Sequence, residues 1–431
     1  MRKTIHSIHV PHWKNTAESV PIRMPIPSVV TIPMSMHIGA PAKLVVQKGD
    51  EVKVGQKIGE ADGPLSSPVF SSVSGKVVRI EDFQMANGKI CPMAVIESDG
   101  RQTLADTIKI PELTDFQSFI DMVRESGAVG LGGAGFPTAV KLNVDPSRVE
   151  YIIVNGAECE PYITSDTHIM VDKAERLFVG IKTIQRFFPK AHFLVGIEDN
   201  KPEAIRMMKR YTERIDRCDV VKVPSSYPQG SEKTLVFNVA HRIIPEGKLP
   251  IDIGCIVMNT TTVATIGKYM MTGIPLITKC VTVDGSAIRS PQNIIVSIGT
   301  KISDLIDFIG GLREEPRKIL YGGPMMGIAI PDIDYPVMKT TNAVIALTDK
   351  NAHIPEPTPC IHCGKCVDAC PMHLMPTELE HARERGDVEA LKKHHVLLCI
   401  ECGSCAFVCP AKRILVESHK LAKAMVREAK K

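Results

Sequence analysis

The chain has 431 residues, 44% of them apolar and 23% charged, with a formal net charge of +4. Those values describe an ordinary globular protein of several domains, and so slight a charge surplus argues against nucleic acid as a partner. No apolar run reaches the roughly 18 residues of a membrane span, and the start MRKTIHSIHVPHWKN lacks the apolar core of a signal peptide, so the chain reads as cytoplasmic, soluble or peripheral to a membrane.

Residues 1–27, rich in Pro and His and without periodicity, read as an extended arm. From 28 to 100 short β runs (VVTIP, AKLVVQKG, KVVRI, PMAVIES) alternate with glycine turns, which predicts a small β sandwich or barrel. The pair GDEVKVGQ and SPVFSSVSGKV resembles the barrel-sandwich hybrid of biotinyl and lipoyl carriers. Those carriers present a modifiable lysine at the hairpin tip. Here the tip, ADGPLSS at 61–67, has none, so no swinging arm is expected.

Residues 101–271 alternate helical and strand patterns: FQSFIDMVRES, YIIVNG, DKAERLFVGIKTIQRFF, HFLVGIED, then a helix opened by Pro202. Such alternation predicts an α/β domain with a mostly parallel sheet. Residues 272–320 form a compact strand–turn–strand–helix segment that ends at Gly310 and Gly311. Residues 321–357, with PEPTP at the end, read as a linker to a cysteine-rich domain at 358–431. The insert between the two cysteine runs carries a helix, PTELEHARERGDVEALKKHH. The basic tail ESHKLAKAMVREAKK reads as a solvated C-terminal helix.

Eight of the 13 cysteines lie in two identical patterns. Cys360, Cys363, Cys366 and Cys370 form one run, closed by Pro371; Cys399, Cys402, Cys405 and Cys409 form the other, closed by Pro410. This is the bacterial ferredoxin run for [4Fe–4S] clusters, in which the two-residue gaps bring three soft thiolates to one cluster and the fourth cysteine crosses to the other. The expected sets are therefore Cys360, Cys363, Cys366 with Cys409, and Cys399, Cys402, Cys405 with Cys370. Zinc knuckles use paired C-x-x-C and do not match. Two clusters make an electron wire, which needs a donor and an acceptor.

VGLGGAGFPTAVKL, residues 129–142, contains a literal G-x-G-x-x-G at Gly130, Gly132 and Gly135. A dinucleotide fingerprint needs a strand immediately before the glycines, and the preceding element here is a helix. That reading fails. What stays open is a packing turn or a glycine loop whose amides approach a phosphate, with Lys141 beside it. Three further polar stretches fall in the same domain: Asn155–Pro161 after the strand YIIV, Tyr227 to Glu232, and Asn259 to Thr262 after IGCIV. At the C-terminal ends of parallel strands such residues line ligand crevices.

The glycine loop with Lys141, followed in order by those three stretches, resembles the flavin subunit of respiratory complex I. The order of all segments over nearly the whole chain is similar to the RnfC family, the NADH-side subunit of Rnf ferredoxin:NAD oxidoreductase complexes; 272–320 resembles the β-grasp SLBB module of both. The resemblance implies FMN, NAD(H) as substrate and an NADH-linked oxidoreductase. Its partners would be membrane subunits that translocate ions, together with ferredoxin, and its place the cytoplasmic face of the membrane. A soluble paralogue feeding a cytosolic reductase and a cluster relay without flavin are the alternatives. Carried over by position, it places FMN phosphate and ribityl contacts at Gly130, Gly132, Gly133, Lys141, Asn259 and Thr260. Asn155, Glu158, Tyr227 and Gly230 would lie around the isoalloxazine, Phe136 on the nicotinamide side, and Glu160 and Glu232 against NADH. The chain departs from the complex I pattern at Leu131, where arginine is usual, and at Ala157 and Ser231, where acids are usual.

Overall fold

The computed structural model describes residues 5–429. The N-terminal sandwich is built on β1 (Val29–Pro33), β2 (Gly75–Gln84) and β3 (Ile90–Ser98), which pair antiparallel in the order β1-β3-β2 with Glu51–Val52 at the edge. A second sheet holds Lys43–Leu44, Lys57–Glu60 and Val69–Phe70. Val30, Ile32, Ile58, Val69, Val77 and Ile96 fill the space between.

The α/β domain is a four-stranded, wholly parallel sheet of β4 (Tyr151–Gly156), β5 (His192–Glu198), β6 (Cys218–Val223) and β7 (Cys255–Asn259), in the order β6-β5-β4-β7. Its central strands read as continuous apolar runs because helices cover both faces. The helices are α1 (Phe116–Glu125), α2 (Thr138–Leu142), α3 (Ser165–Asp172), α4 (Ala174–Phe187), α5 (Pro202–Thr212), α6 (Glu232–Ala240) and α7 (Thr260–Thr272). Strand order reverses between β4 and β7. At that switch point the connections leave in opposite directions and open a crevice, and Asn155 and Asn259 face each other there in register.

The third unit is larger than the sequence implies. A six-stranded sheet runs Ile22–Arg23, β9 (Gln292–Ser297), β8 (Thr278–Asp284), β12 (Ala343–Leu347), β10 (Lys318–Tyr321), β11 (Ile328–Ile330), with α8 (Ile302–Phe308) packed on it. Residues 321–347 are thus not linker: β12 lies inside the sheet between β8 and β10, and all five of its residues are buried. AVIAL is a short continuous apolar run of the kind a fully buried strand carries. The N-terminal arm is extended but docked, adding an edge strand here through Ile22 and Arg23.

Among the described residues the cysteine-rich domain has five α-helices, α9 (Lys365–Asp368), α10 (Pro376–Glu384), α11 (Val388–Lys393), α12 (Ser404–Val408) and α13 (Leu415–Glu428), and a 3-10 turn at Val396–Leu398. The insert expected as one helix is broken at Gly386, which takes φ +69°, and Asp387 restarts the chain by capping α11 at the amide of Ala390 (2.9 Å). The tail is not solvated. Leu415, His419, Ala422 and Val426 of α13 are buried, and α13 packs on α10 and α11 as a wall of the domain. Among the described residues no helix is long and apolar enough to cross a membrane.

Candidate functional site

The glycine loop arches over the crevice between α1 and α2. It closes on itself through the Gly130 amide to the Phe136 carbonyl (2.9 Å) and the Gly135 amide to the Gly130 carbonyl (3.2 Å). Its crest, Gly132 to Ala134, is exposed. Thr262 ties the loop to α7 from both sides: its hydroxyl receives the Leu131 amide (3.0 Å) and donates to the Val129 carbonyl (2.9 Å). A Cβ on Gly132 would sit 2.4 Å from Asn259 Nδ2, so only glycine passes there.

Asn259 joins three elements. Its Oδ1 caps α7 at the amides of Thr261 (2.8 Å) and Thr262 (3.3 Å), while Nδ2 donates to Asp166 (2.6 Å), which also accepts from Thr261 Oγ1. The Thr260 hydroxyl, at the first position of α7, is buried and has no protein partner, and neither has that of Ser165. An unpartnered hydroxyl at a helix N-terminus, with the Gly132 crest of the loop packed against the neighbouring Asn259, suits an anion. This fits the phosphate of FMN.

Lys141 Nζ donates to the Val257 carbonyl (2.9 Å), lies 3.5 Å from Glu232 and stands 6.0 Å from the Phe136 ring centre. Three expected residues are thereby brought together. Asn155 Nδ2 donates to the Gly230 carbonyl (2.9 Å), which joins two more.

Glu158 and Glu160 are placed differently from the expectation. The Glu158 carboxylate is buried and caps α3, accepting from the Asp166 amide (2.8 Å) and from the Thr167 hydroxyl (2.8 Å); burial raises its pKa. The Glu160 carboxylate is held by the amides of Met325 (3.0 Å) and Met326 (2.8 Å), and burial pushes its pKa up to about 7. Both carboxylate oxygens thus accept from the loop between Gly322 and Gly327, which the residue braces in this arrangement. A Cβ on Gly323 would lie 2.2 Å from Glu160 Oε2. Tyr227 turns away from an open pocket: it is 1% exposed and its hydroxyl donates to the Cys402 carbonyl (2.6 Å).

Two residues that sequence reading missed organise this segment. Lys14, from the arm, donates to the carbonyls of Glu158 (2.8 Å), Glu160 (2.8 Å) and Ile163 (2.5 Å). Asp166 links Glu158 to Asn259. A lone lysine in an irregular arm gives no sequence signal, and Asp166 reads only as an ordinary acid in a first helical turn.

The departures from the complex I pattern have packing reasons. Leu131 is 1% exposed and belongs to the sandwich core; Ser231 caps α6 at Thr234; Ala157 packs against the cluster under β4 and β5.

Cys370, Cys399, Cys402 and Cys405 together line one small, largely enclosed cavity of about 20 Å³, closed by Pro371, Met372 and Val416. The crossing of the fourth cysteine is thus present in the geometry. The thiols ring a space and do not close on a single ion-sized point. Burial raises the pKa of Cys370, Cys399 and Cys405, that of Cys399 to about 11, so a strongly cationic core is what would hold them as thiolates. Four soft donors around a dry cavity fit an iron–sulfur cluster. Cys366 lies within reach of the charge of Cys360 and Cys409, and Cys363 is exposed.

Four family models match in chain order: the RnfC barrel sandwich hybrid domain at residues 3–101, the Nuo51 FMN-binding domain at 123–268, the SLBB domain at 280–329 and the 4Fe-4S dicluster domain at 359–417. The chain is 44% identical over 421 residues to a subunit of the Na(+)-translocating ferredoxin:NAD(+) oxidoreductase complex of Acetobacterium woodii, covering 96% of this chain and 95% of that one. The chain belongs to the RnfC family. A second relative, the corresponding subunit of the proton-translocating ferredoxin:NAD(+) oxidoreductase complex of Clostridium ljungdahlii, is 42% identical over 91% of this chain and 86% of its own. Its counterpart in the ion-translocating oxidoreductase complex of Rhodobacter capsulatus is 40% identical over 97% and 82%. Among solved structures, an NAD+-reducing [NiFe]-hydrogenase superposes with a TM-score of 0.50 at 16% identity, over 72% of this chain and 63% of that one. That likeness concerns the fold. This RnfC-family chain accordingly carries an FMN domain and a domain for two [4Fe–4S] clusters.

Proposed function

We propose that this chain is the NADH-side electron-transfer subunit of an Rnf-type ferredoxin:NAD(+) oxidoreductase complex, peripheral on the cytoplasmic face of the membrane, with ion translocation left to its membrane partners. One observation carries the reading: the α/β crevice and the four-thiol cavity are joined through a buried seam, with Tyr227 on one side and Cys402 on the other.

FMN bound in the crevice would supply the exchange between two-electron nicotinamide chemistry and one-electron cluster chemistry. The chain's own residues orient it. Gly132 offers its amide and Thr260 its hydroxyl to the phosphate, Gly130 and Gly133 shape the loop by spending their amides inside it, Lys141 supplies positive charge, and Asn259 fixes the glycine loop against α7. Phe136 gives a flat apolar wall beside the loop. Glu232, half-exposed and paired with Lys141, is the carboxylate free to meet NADH; Glu160 holds a loop instead. Asn155 fixes the 230 turn. The eight cysteines, in the two crossed sets, hold the clusters.

The test is anaerobic reconstitution of the full chain, with bound flavin and NADH-driven bleaching of the clusters as readouts. A chain that holds its iron but neither binds FMN nor is reduced by NADH would sink the proposal. Gly132→Ala, which drives a methyl into Asn259, is expected to weaken FMN retention at least tenfold, about 1.4 kcal/mol, with the iron content unchanged.

A further inference from the structure

The two cysteine runs fold into nearly matching turns. In each, the residue before the second cysteine is left-handed, His362 at φ +53° and Glu401 at +57°, and the glycine after it is too, Gly364 at +75° and Gly403 at +83°. His373 and Lys412, three residues after the fourth cysteine of each run, match again at +54° and +55°. Backbone alone would make the two cluster sites equivalent.

They differ in what meets the second cysteine's carbonyl. Cys363 is exposed, and among the described residues its carbonyl accepts no bond from the protein. The Cys402 carbonyl is turned into the flavin domain, where the Tyr227 hydroxyl donates to it at 2.6 Å. Tyr227 is itself fixed, its backbone exchanging two bonds with Ile8 of the arm (both 2.9 Å). Ile8, Val10, Ala369 and Met325 seal the surroundings. Met325 belongs to the loop that Glu160 holds, and its carbonyl backs Gly403: a Cβ there would lie 3.2 Å from it.

We propose that Tyr227 is a positioning residue for the cluster site of Cys370, Cys399, Cys402 and Cys405, and that its bond to Cys402 contributes to the inequivalence of the two clusters, beside the Lys423 ammonium on the Cys399 carbonyl (2.9 Å) and His419 Nδ1 near Cys399 Sγ (3.7 Å). The proposal rests on the reading that both cysteine sets carry clusters. A buried carbonyl acceptor needs a donor, and this donor fixes the plane of the peptide that carries the ligand. Its dipole also places positive charge beside a centre that gains negative charge on reduction, which favours the reduced state, since hydrogen bonds around a cluster help set its potential.

The full chain, reconstituted anaerobically, would be poised at fixed potentials and read by low-temperature electron paramagnetic resonance. Tyr227→Phe is expected to move the signal of one cluster and leave the other superimposable on wild type. The signal that moves should be the one that Cys402→Ala with Cys405→Ala removes. Its reduced-to-oxidised ratio at fixed potential should fall roughly threefold to tenfold, the worth of one neutral hydrogen bond. Two unmoved signals in a fully loaded variant overturn the inference; so does an equal shift of both. Should the variant lose iron, a ring-fluorinated tyrosine at 227, which keeps the hydroxyl but alters its acidity, must shift the same single signal or the inference fails. A wild-type chain holding fewer than two clusters overturns the underlying reading, and iron analysis shows that before any variant is compared.

Discussion

The run 360–370 and the run 399–409 share their spacing, their terminal proline and their left-handed turns, yet they sit in different company. Around Cys402 three other parts of the chain converge: the arm through Ile8, the α/β domain through Tyr227, and the β-grasp unit through Met325. Around Cys363 there is solvent. Spacing therefore specifies which thiols share a cluster. Packing specifies what each run faces: one looks inward, against the α/β domain through Tyr227, and the other outward at Cys363.

The largest effect should come from removing one cluster at a time. With Cys402→Ala and Cys405→Ala the inward cluster is lost, and NADH is expected to reduce flavin but not the remaining cluster, because the link between them is gone. With Cys360→Ala and Cys363→Ala the inward cluster should still be bleached by NADH, while delivery to an external acceptor stops. Iron should fall by about half in each. Equal behaviour of the two double variants in NADH-driven bleaching would erase the inward–outward distinction.

Leu131 sharpens the same comparison from the flavin side. The complex I pattern suggests arginine there, and a sequence argument alone would count the change as a loss of flavin affinity. In the structure Leu131 is a core residue of the sandwich, packed with Val129, Met338 and the β1 side chains. Leu131→Arg would bury an unpaired guanidinium and is expected to destabilise the chain by about 3–5 kcal/mol, seen as an earlier denaturation midpoint. A stable variant with tighter flavin would show that the position still belongs to the cofactor.

Legibility divided along local and assembled features. The cluster ligands could be read because four soft donors at fixed short spacing have one common use. The parallel sheet could be read because its strands are continuous apolar runs. The glycine loop could be placed only by resemblance, since its meaning depends on Asn259 and Thr262, more than a hundred residues away. The contacts of Glu160 are hidden for the same reason: its partners, the amides of Met325 and Met326, lie in a stretch whose sequence reads as linker. Lys14 and Asp166 left no pattern at all. Their role exists only after folding brings the arm and α3 to one segment.

The smallest expected effect concerns Lys339, which pins the inward side. Its ammonium is buried and donates to the Pro68 carbonyl (2.6 Å), the Gly127 carbonyl (2.9 Å) and Ser67 Oγ (3.2 Å), so it ties the lysine-free sandwich tip to the turn that precedes the glycine loop. These partners are neutral, and burial lowers its pKa to about 7. A base whose folded pKa is depressed is neutral in the fold but charged in the unfolded chain between about 7 and its ordinary 10.5. Stability linked to this group therefore rises with pH across that window and is flat below it, with a slope of at most about 1.4 kcal/mol per pH unit. Lys268 and Lys279, each lowered by burial to about 8, push the same way, so the difference from Lys339→Met isolates the residue. Denaturation midpoints measured from pH 7 to 10 should climb less steeply in the variant than in wild type. Because the Lys339 ammonium bonds only to residues 67, 68 and 127 and to none of the outward run, the outward cluster's spectrum should be the same in both; a change there would mean that the two sides are mechanically coupled.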